Sequence, residues 1–173
     1  MFQVGLERKN ILVALAVTLF FLIVFPPLFS NVRLMFFAPY LIISFYQKSY
    51  ITCLWHSFLA GLVLDLLSTD GRLGLYGLGY CLTTALLYNQ RRHFFSDSPS
   101  TLPIMTFFFA VISTLIEFGL VNAFEKPLTI SWGWIQTDVF YMPVLDALYA
   151  FFVFILPALV WGKRARRGNE YFM

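Results

Sequence analysis

Charged side chains are scarce in this chain. Asp, Glu, Lys and Arg together make up 12% of it, about half the share found in soluble domains. Polar stretches are short too, about a dozen residues at the longest, so none can hold a soluble core of its own. That excludes a soluble globular domain. Cysteine is limited to Cys53 and Cys81. Counted from the turn between their segments at roughly 1.5 Å per helical residue, their depths differ by about 8 Å. A disulfide is therefore not expected, and two thiols make no metal framework. Histidine is as rare. His56 falls in an apolar segment, where it reads as a hydrogen-bonding packing residue, and His93 falls in a basic loop. An intramembrane serine or metal protease lacks its parts, and no phosphate-binding loop, zinc-protease helix or nucleophile elbow is present. The stretch from Gly74 through Gly77 to Gly79 has the glycine spacing of a dinucleotide fingerprint in reverse, and no strand precedes it. No cofactor or nucleic acid is called for.

Apolar surface is what the chain has in quantity: 60% hydrophobic residues, 20% aromatic, with 21 phenylalanines. Long apolar runs recur along the whole length, which predicts an all-α, polytopic membrane protein of one domain, residues 1–173. Six spans are expected, at residues 11–29, 34–46, 51–67, 73–88, 102–124 and 138–161. The start, with Arg8 and Lys9 before an apolar run, imitates a signal peptide. No small-residue cleavage site follows, and Pro26 and Pro27 close the run, so the first span is read as retained. The second segment contains Pro39 and falls short of the ~20 residues of a straight span, so it reads as a short or tilted helix buried among neighbours. Gln47, Lys48 and Ser49 make a tight turn. Residues 125–137 form the longest outer loop, with Trp132 and Trp134 marking an interfacial segment.

Six spans place both termini on one side. With that side cytoplasmic, the inner segments hold Arg8, Lys9, Lys48, Arg91, Arg92, Lys163, Arg164, Arg166 and Arg167. The outer ones hold only Arg33, Arg72 and Lys126. Nine against three is a positive-inside bias and sets both termini in the cytoplasm. The basic tail from Lys163 to Arg167 is a topology determinant, and contact with anionic lipid or a cytoplasmic partner is open to it.

Small and polar residues concentrate in one hairpin. Cys53, Ser57, Gly61 and Asp65 recur every four residues and share a helix face. After a turn of residues 68–72 comes a second stripe, Gly74, Gly77, Cys81 and Ala85. Such faces let helices approach closely in lipid, where apolar burial alone favours no neighbour. Ser57, Gly61, Asp65, Gly74 and Gly77 are the candidate packing or partner-binding residues. Three acids fall in or at the ends of spans: Asp65, Glu117 and Asp146. The topology puts each in the outer half of the membrane, where a carboxylate needs a partner or a cavity. One reading is an outward-opening polar site, with Glu117 and Asp146 lining a cavity. The other has each acid bonded to a nearby Ser, Thr or Tyr, or Asp65 paired with Arg72 or Arg33.

Residues 39–88 resemble the MreD family, the membrane subunit of the bacterial rod-shape machinery. The resemblance rests on Pro39 opening the second span, the run Gly61-Leu62-Val63-Leu64-Asp65-Leu66-Leu67-Ser68, then Leu73-Gly74 and a small-residue span. Length, span number and basic tail fit the whole chain in outline. Ala38-Pro39-Tyr40 stands where the family often has Arg-Pro-Asp or Arg-Pro-Asn, and the turn after Asp65 is a residue longer. The resemblance implies a non-enzymatic scaffold in the bacterial cytoplasmic membrane. Its implied partners are a bitopic MreC-like protein, an MreB-like filament, and a wall polymerase and transpeptidase. The same six-helix shape resembles the substrate-binding S component of energy-coupling-factor transporters. That family's Ala-x-x-x-Ala pattern on the first span is matched here only by Ala14 and Thr18. An integral membrane enzyme has only the buried acids in its favour.

Overall fold

The computed structural model describes residues 10–28, 34–68, 74–93, 98, 100–124 and 131–157, without the side chains of 26–28, 92 and 93. Every regular element among these residues is helical. Helix α1 covers Ile11–Leu28. Asn10 starts it: its side-chain oxygen accepts the Leu12 N–H at 3.2 Å and its carbonyl accepts Ala14 N–H, as asparagine does at a helix N-cap. The helix continues one residue past the Pro26-Pro27 pair.

Helix α2, Ala38–Gln47, begins four residues later than the apolar run 34–46 suggests. Pro39 sets the start. It occupies the first turn, where a missing N–H forfeits no helix bond, and the Ala38 N–H closes a tight turn onto the Met35 carbonyl. Eight successive residues, Ala38 to Phe45, are buried, and α2 packs against α1 and α5 as well as the helix that follows it. Ten residues make about 15 Å of helix, half of a ~30 Å hydrocarbon layer. This is a short helix held inside the bundle.

After the turn at Lys48 and Ser49 come α3, Tyr50–Leu67, and α4, Leu75–Leu87. The four-residue spacing is realised on α3, whose buried residues are Cys53, Ser57, Ala60, Gly61 and Asp65. On α4 the stripe differs from expectation. Gly77 is buried, but Gly74 precedes the helix, Cys81 is half-buried and Ala85 is exposed; Tyr80, Thr84 and Leu87 take the inner face instead. The cause is Tyr80, whose ring meets Phe109 of the next helix at 5.4 Å. It turns the inner face of α4 toward two neighbours at once.

Helix α5 is Thr101–Phe124, and α6 runs from Trp132 to Ile155. Two wider, π-type stretches, Ile135–Tyr141 and Phe151–Ile155, flank the regular α-helical part Met142–Ala150. The last helix therefore starts six residues before the span boundary at 138, and Trp132 and Trp134 belong to it. Nothing from 132 to 137 breaks a helix apart from Gly133, and the Thr137 hydroxyl donates back to the Gly133 carbonyl at 3.0 Å, so its polarity is met within the helix. Residues 125–130 lie outside the described residues.

Three helices, α3, α5 and α6, are long and apolar enough to cross a membrane, while the apolar part of α1 (Ile11–Phe25) and α4 are shorter. The described part of the chain is thus all-helical, with membrane-spanning character.

Candidate functional site

The site is built where α3 meets α4. Gly61 has no room for a side chain: a Cβ there would lie 2.5 Å from the Gly77 Cα and the Tyr76 carbonyl oxygen. Those neighbours are backbone and cannot swing aside, so the two helices touch main chain to main chain. Gly77 is under less pressure, since a Cβ there would be in ordinary contact, 3.6 Å from Asp65 and Phe58.

One turn beyond Gly61, Asp65 is buried and faces the start of α4. Its Oδ1 accepts the Tyr76 N–H and its Oδ2 the Gly77 N–H, both at 3.1 Å. The first turn of any helix carries N–H groups with no partner inside the helix. At α4 the residue that would normally supply a capping side chain is Gly74, at φ +98, a backbone region suited to glycine. Gly74 therefore makes the turn while Asp65 supplies the acceptors from the preceding helix. A carboxylate at a helix N-terminus also meets the positive end of its dipole. Arg33 and Arg72, the ion-pair partners considered from sequence, lie outside the described residues.

Further along the same interface, the Ser57 hydroxyl bonds the Cys53 carbonyl at 2.9 Å and meets the Thr84 hydroxyl at 2.5 Å. Cys81 points its thiol to the Leu54 carbonyl at 3.6 Å. Both cysteines are free thiols. From Ser57 to Asp65 the α3–α4 contact is thus tied by small side chains and short polar bonds.

Glu117 and Asp146 are also buried. Glu117 accepts from the Ser113 hydroxyl, one turn earlier on α5, at 3.3 Å, and its Cγ lies where it would be 3.3 Å from a Cβ on Gly79 of α4. Asp146 Oδ1 accepts the Met35 N–H at 2.7 Å, in the turn that leads into α2. Because α6 starts at Trp132, Asp146 stands about 21 Å along it at roughly 1.5 Å per residue. It is close to the middle of the helix, deeper than the sequence placement of about eight residues in. An unpaired backbone N–H at that depth is costly, and the carboxylate meets it. The structure brings Glu117 to α4 and Asp146 to α2, so each acid serves a different helix contact.

The opposite end of α2 is held as firmly. Arg91 donates from Nη1 to the Phe45 carbonyl and lays its guanidinium 3.9 Å above the Tyr88 ring. The Ser44 hydroxyl bonds His56 Nδ1 at 2.9 Å, and the Cys53 thiol donates to the Ser44 carbonyl at 3.4 Å. His56 is therefore a helix-to-helix tether. Arg92 lies in a short turn, Gln90–His93, and Lys163, Arg164, Arg166 and Arg167 lie outside the described residues.

Sequence reasoning missed Thr84, Gly79 and Met35. Thr83 and Thr84 were the available signal for the first, adjacent hydroxyls in an apolar helix. Gly79 lay in the glycine run dismissed as a nucleotide motif. Met35 takes part through its backbone and left no signal. Among the described residues no group of three or more His, Cys, Asp or Glu side chains could hold a metal ion. Two surface grooves have apolar walls, one of Ile51, Leu54, Trp55, Phe58 and Cys81, the other between α5 and α6 around Phe107, Ala147 and Leu148.

Comparison of the chain with family models, with characterised proteins and with solved structures finds no match.

Proposed function

We propose that this protein is a non-enzymatic membrane scaffold of the MreD type. In this reading it sits in the bacterial cytoplasmic membrane with six spans and both termini cytoplasmic. It links an MreC-like bitopic protein and an MreB-like filament to the polymerase and transpeptidase of wall elongation. The observation that carries the reading is the use to which Asp65 is put. Within the Gly61-x-x-x-Asp65 run that bears the family resemblance, both carboxylate oxygens take backbone N–H groups of α4. An acid placed in this way fastens two helices. Asp146, likewise, accepts a backbone N–H.

The alternative is a substrate-binding component of an energy-coupling-factor transporter. It is favoured by one feature: the hydroxyls of Thr18 and Tyr149 are buried in the bundle. Among the described residues neither has a hydrogen-bond partner. Polar groups left so in an apolar interior suit a bound polar molecule.

A mild-detergent pull-down of the tagged chain, with mass spectrometry of co-purifying proteins and small molecules, separates the two. The scaffold reading predicts wall-synthesis and filament proteins and no retained metabolite. A retained vitamin-like compound, or a transporter ATPase module, overturns it.

A further inference from the structure

Among the described residues, the end of the bundle where α2 turns into α3 carries positive charge with no acid near it. Lys48 stands exposed in that turn, and Arg91 reaches the same place from the segment after α4. Two hydroxyls knit the two segments together: Tyr88 donates to the Lys48 carbonyl at 3.2 Å, and Tyr46 to the Arg91 carbonyl at 3.5 Å. Tyr50 completes the group, its ring 5.0 Å from that of Tyr88. The described acids are elsewhere: Asp65 at the far end of α3, Glu117 well along α5, and Asp138 and Asp146 on α6. Among the described residues neither Lys48 nor Arg91 is paired with a carboxylate.

Arg91 is also oriented in advance. One of its five N–H groups is given to Phe45, and the stacking on Tyr88 fixes the guanidinium plane. Its remaining donors have the fork geometry that suits two oxygens of a phosphate. A fixed guanidinium loses little freedom on binding, whereas Lys48 adds charge on a flexible stem. The cluster includes Tyr50, the first residue of a helix long and apolar enough to cross a membrane. Tyrosines and cations at such a point lie level with lipid headgroups.

We propose that Lys48, Arg91 and the Tyr50 hydroxyl form a phosphate-binding site that holds the headgroup of an anionic phospholipid. The bound lipid would brace the C-terminal end of α2 through the Arg91 tie to Phe45. The site is independent of the Asp65 hairpin and of the scaffold reading.

The test uses the full chain purified in a neutral detergent, with phosphatidylglycerol, phosphatidylcholine or inorganic phosphate added. Lipid retention is read by native mass spectrometry and thermal stability by the unfolding midpoint. The expected result is retention of phosphatidylglycerol over phosphatidylcholine with a raised midpoint. Retention should weaken about fivefold in Lys48→Gln and again about fivefold when Arg91→Gln is added, from roughly one basic residue's share of headgroup attraction each. Arg91→Lys, which keeps the charge, should lose less than Arg91→Gln. Should Arg91→Gln fail to fold, Lys48→Gln and Tyr50→Phe still read the site. Equal retention of the two lipids overturns the proposal. So does a loss seen only when Lys163, Arg164, Arg166 and Arg167 are changed to Gln. A midpoint shift reproduced by millimolar inorganic phosphate, with displacement of the lipid, assigns the site to soluble phosphate and overturns the lipid assignment.

Discussion

The α3–α4 hairpin and the surroundings of α2 use the same chemistry at very different ranges. In the hairpin, a carboxylate meets two N–H groups 11 and 12 residues away, next to a glycine that brings the two main chains into contact. Around α2, a carboxylate meets one N–H 111 residues away, and an arginine 46 residues away holds the other end. The hairpin is thus a local lock that can form as soon as α3 and α4 are both present. The buried helix α2 depends on α6 at one end and on the segment after α4 at the other, so it reaches its final place only when the whole bundle is assembled. Interference with the hairpin should damage one contact severely. Interference around α2 should loosen the bundle more broadly and by less.

The strongest way to break this contrast is Gly61→Val. A branched side chain against the backbone of Tyr76 and Gly77 has no neighbour that can yield, and the cost should be about 3 kcal/mol or more, the upper range for overpacked sites. Thermal unfolding in detergent would register it as a large drop in midpoint. Next comes Asp65→Ala, which strands two N–H groups at about 1–3 kcal/mol each. Asp65→Asn keeps one acceptor oxygen and should recover roughly half of that loss. Asp146→Ala strands the Met35 N–H and should cost about 1–3 kcal/mol. The two acids share no partner in these contacts, so their losses should add within about 0.5 kcal/mol in the double variant. Marked coupling between them would mean that the two regions are one network.

The hairpin was legible in the sequence because its parts are close together and periodic. Cys53, Ser57, Gly61 and Asp65 share a face by simple counting, and α3 buries that face. The second stripe was misread because counting from Gly74 ignores that this glycine precedes the helix, and because Tyr80, a large residue, claims the inner face by packing on Phe109. Pro39 signalled a short second helix correctly. Nothing in the sequence tied Asp146 to Met35, since the group it meets is a backbone N–H and any residue at position 35 other than proline would offer one. The start of α6 at Trp132 was obscured by Gly133 and by a run that alternates aromatic and small residues.

The smallest expected effects sharpen the register of α4. Thr84→Val removes the hydroxyl that meets Ser57 and should cost about 1 kcal/mol, because Ser57 keeps its bond to the Cys53 carbonyl. Ala85→Leu, one residue on at an exposed position, should change stability by less than about 0.5 kcal/mol. The reverse order in an unfolding assay would restore the face read from the small-residue stripe.

The central claim is that Asp65 serves as the missing cap of α4. Residue-resolved amide hydrogen exchange on the protein in detergent or nanodiscs tests it most directly. The account predicts that the Tyr76 and Gly77 amides are protected in the native chain and exchange much faster in Asp65→Ala, while amides in the middle of α3 keep their protection. Unchanged exchange at Tyr76 and Gly77 in that variant would contradict it.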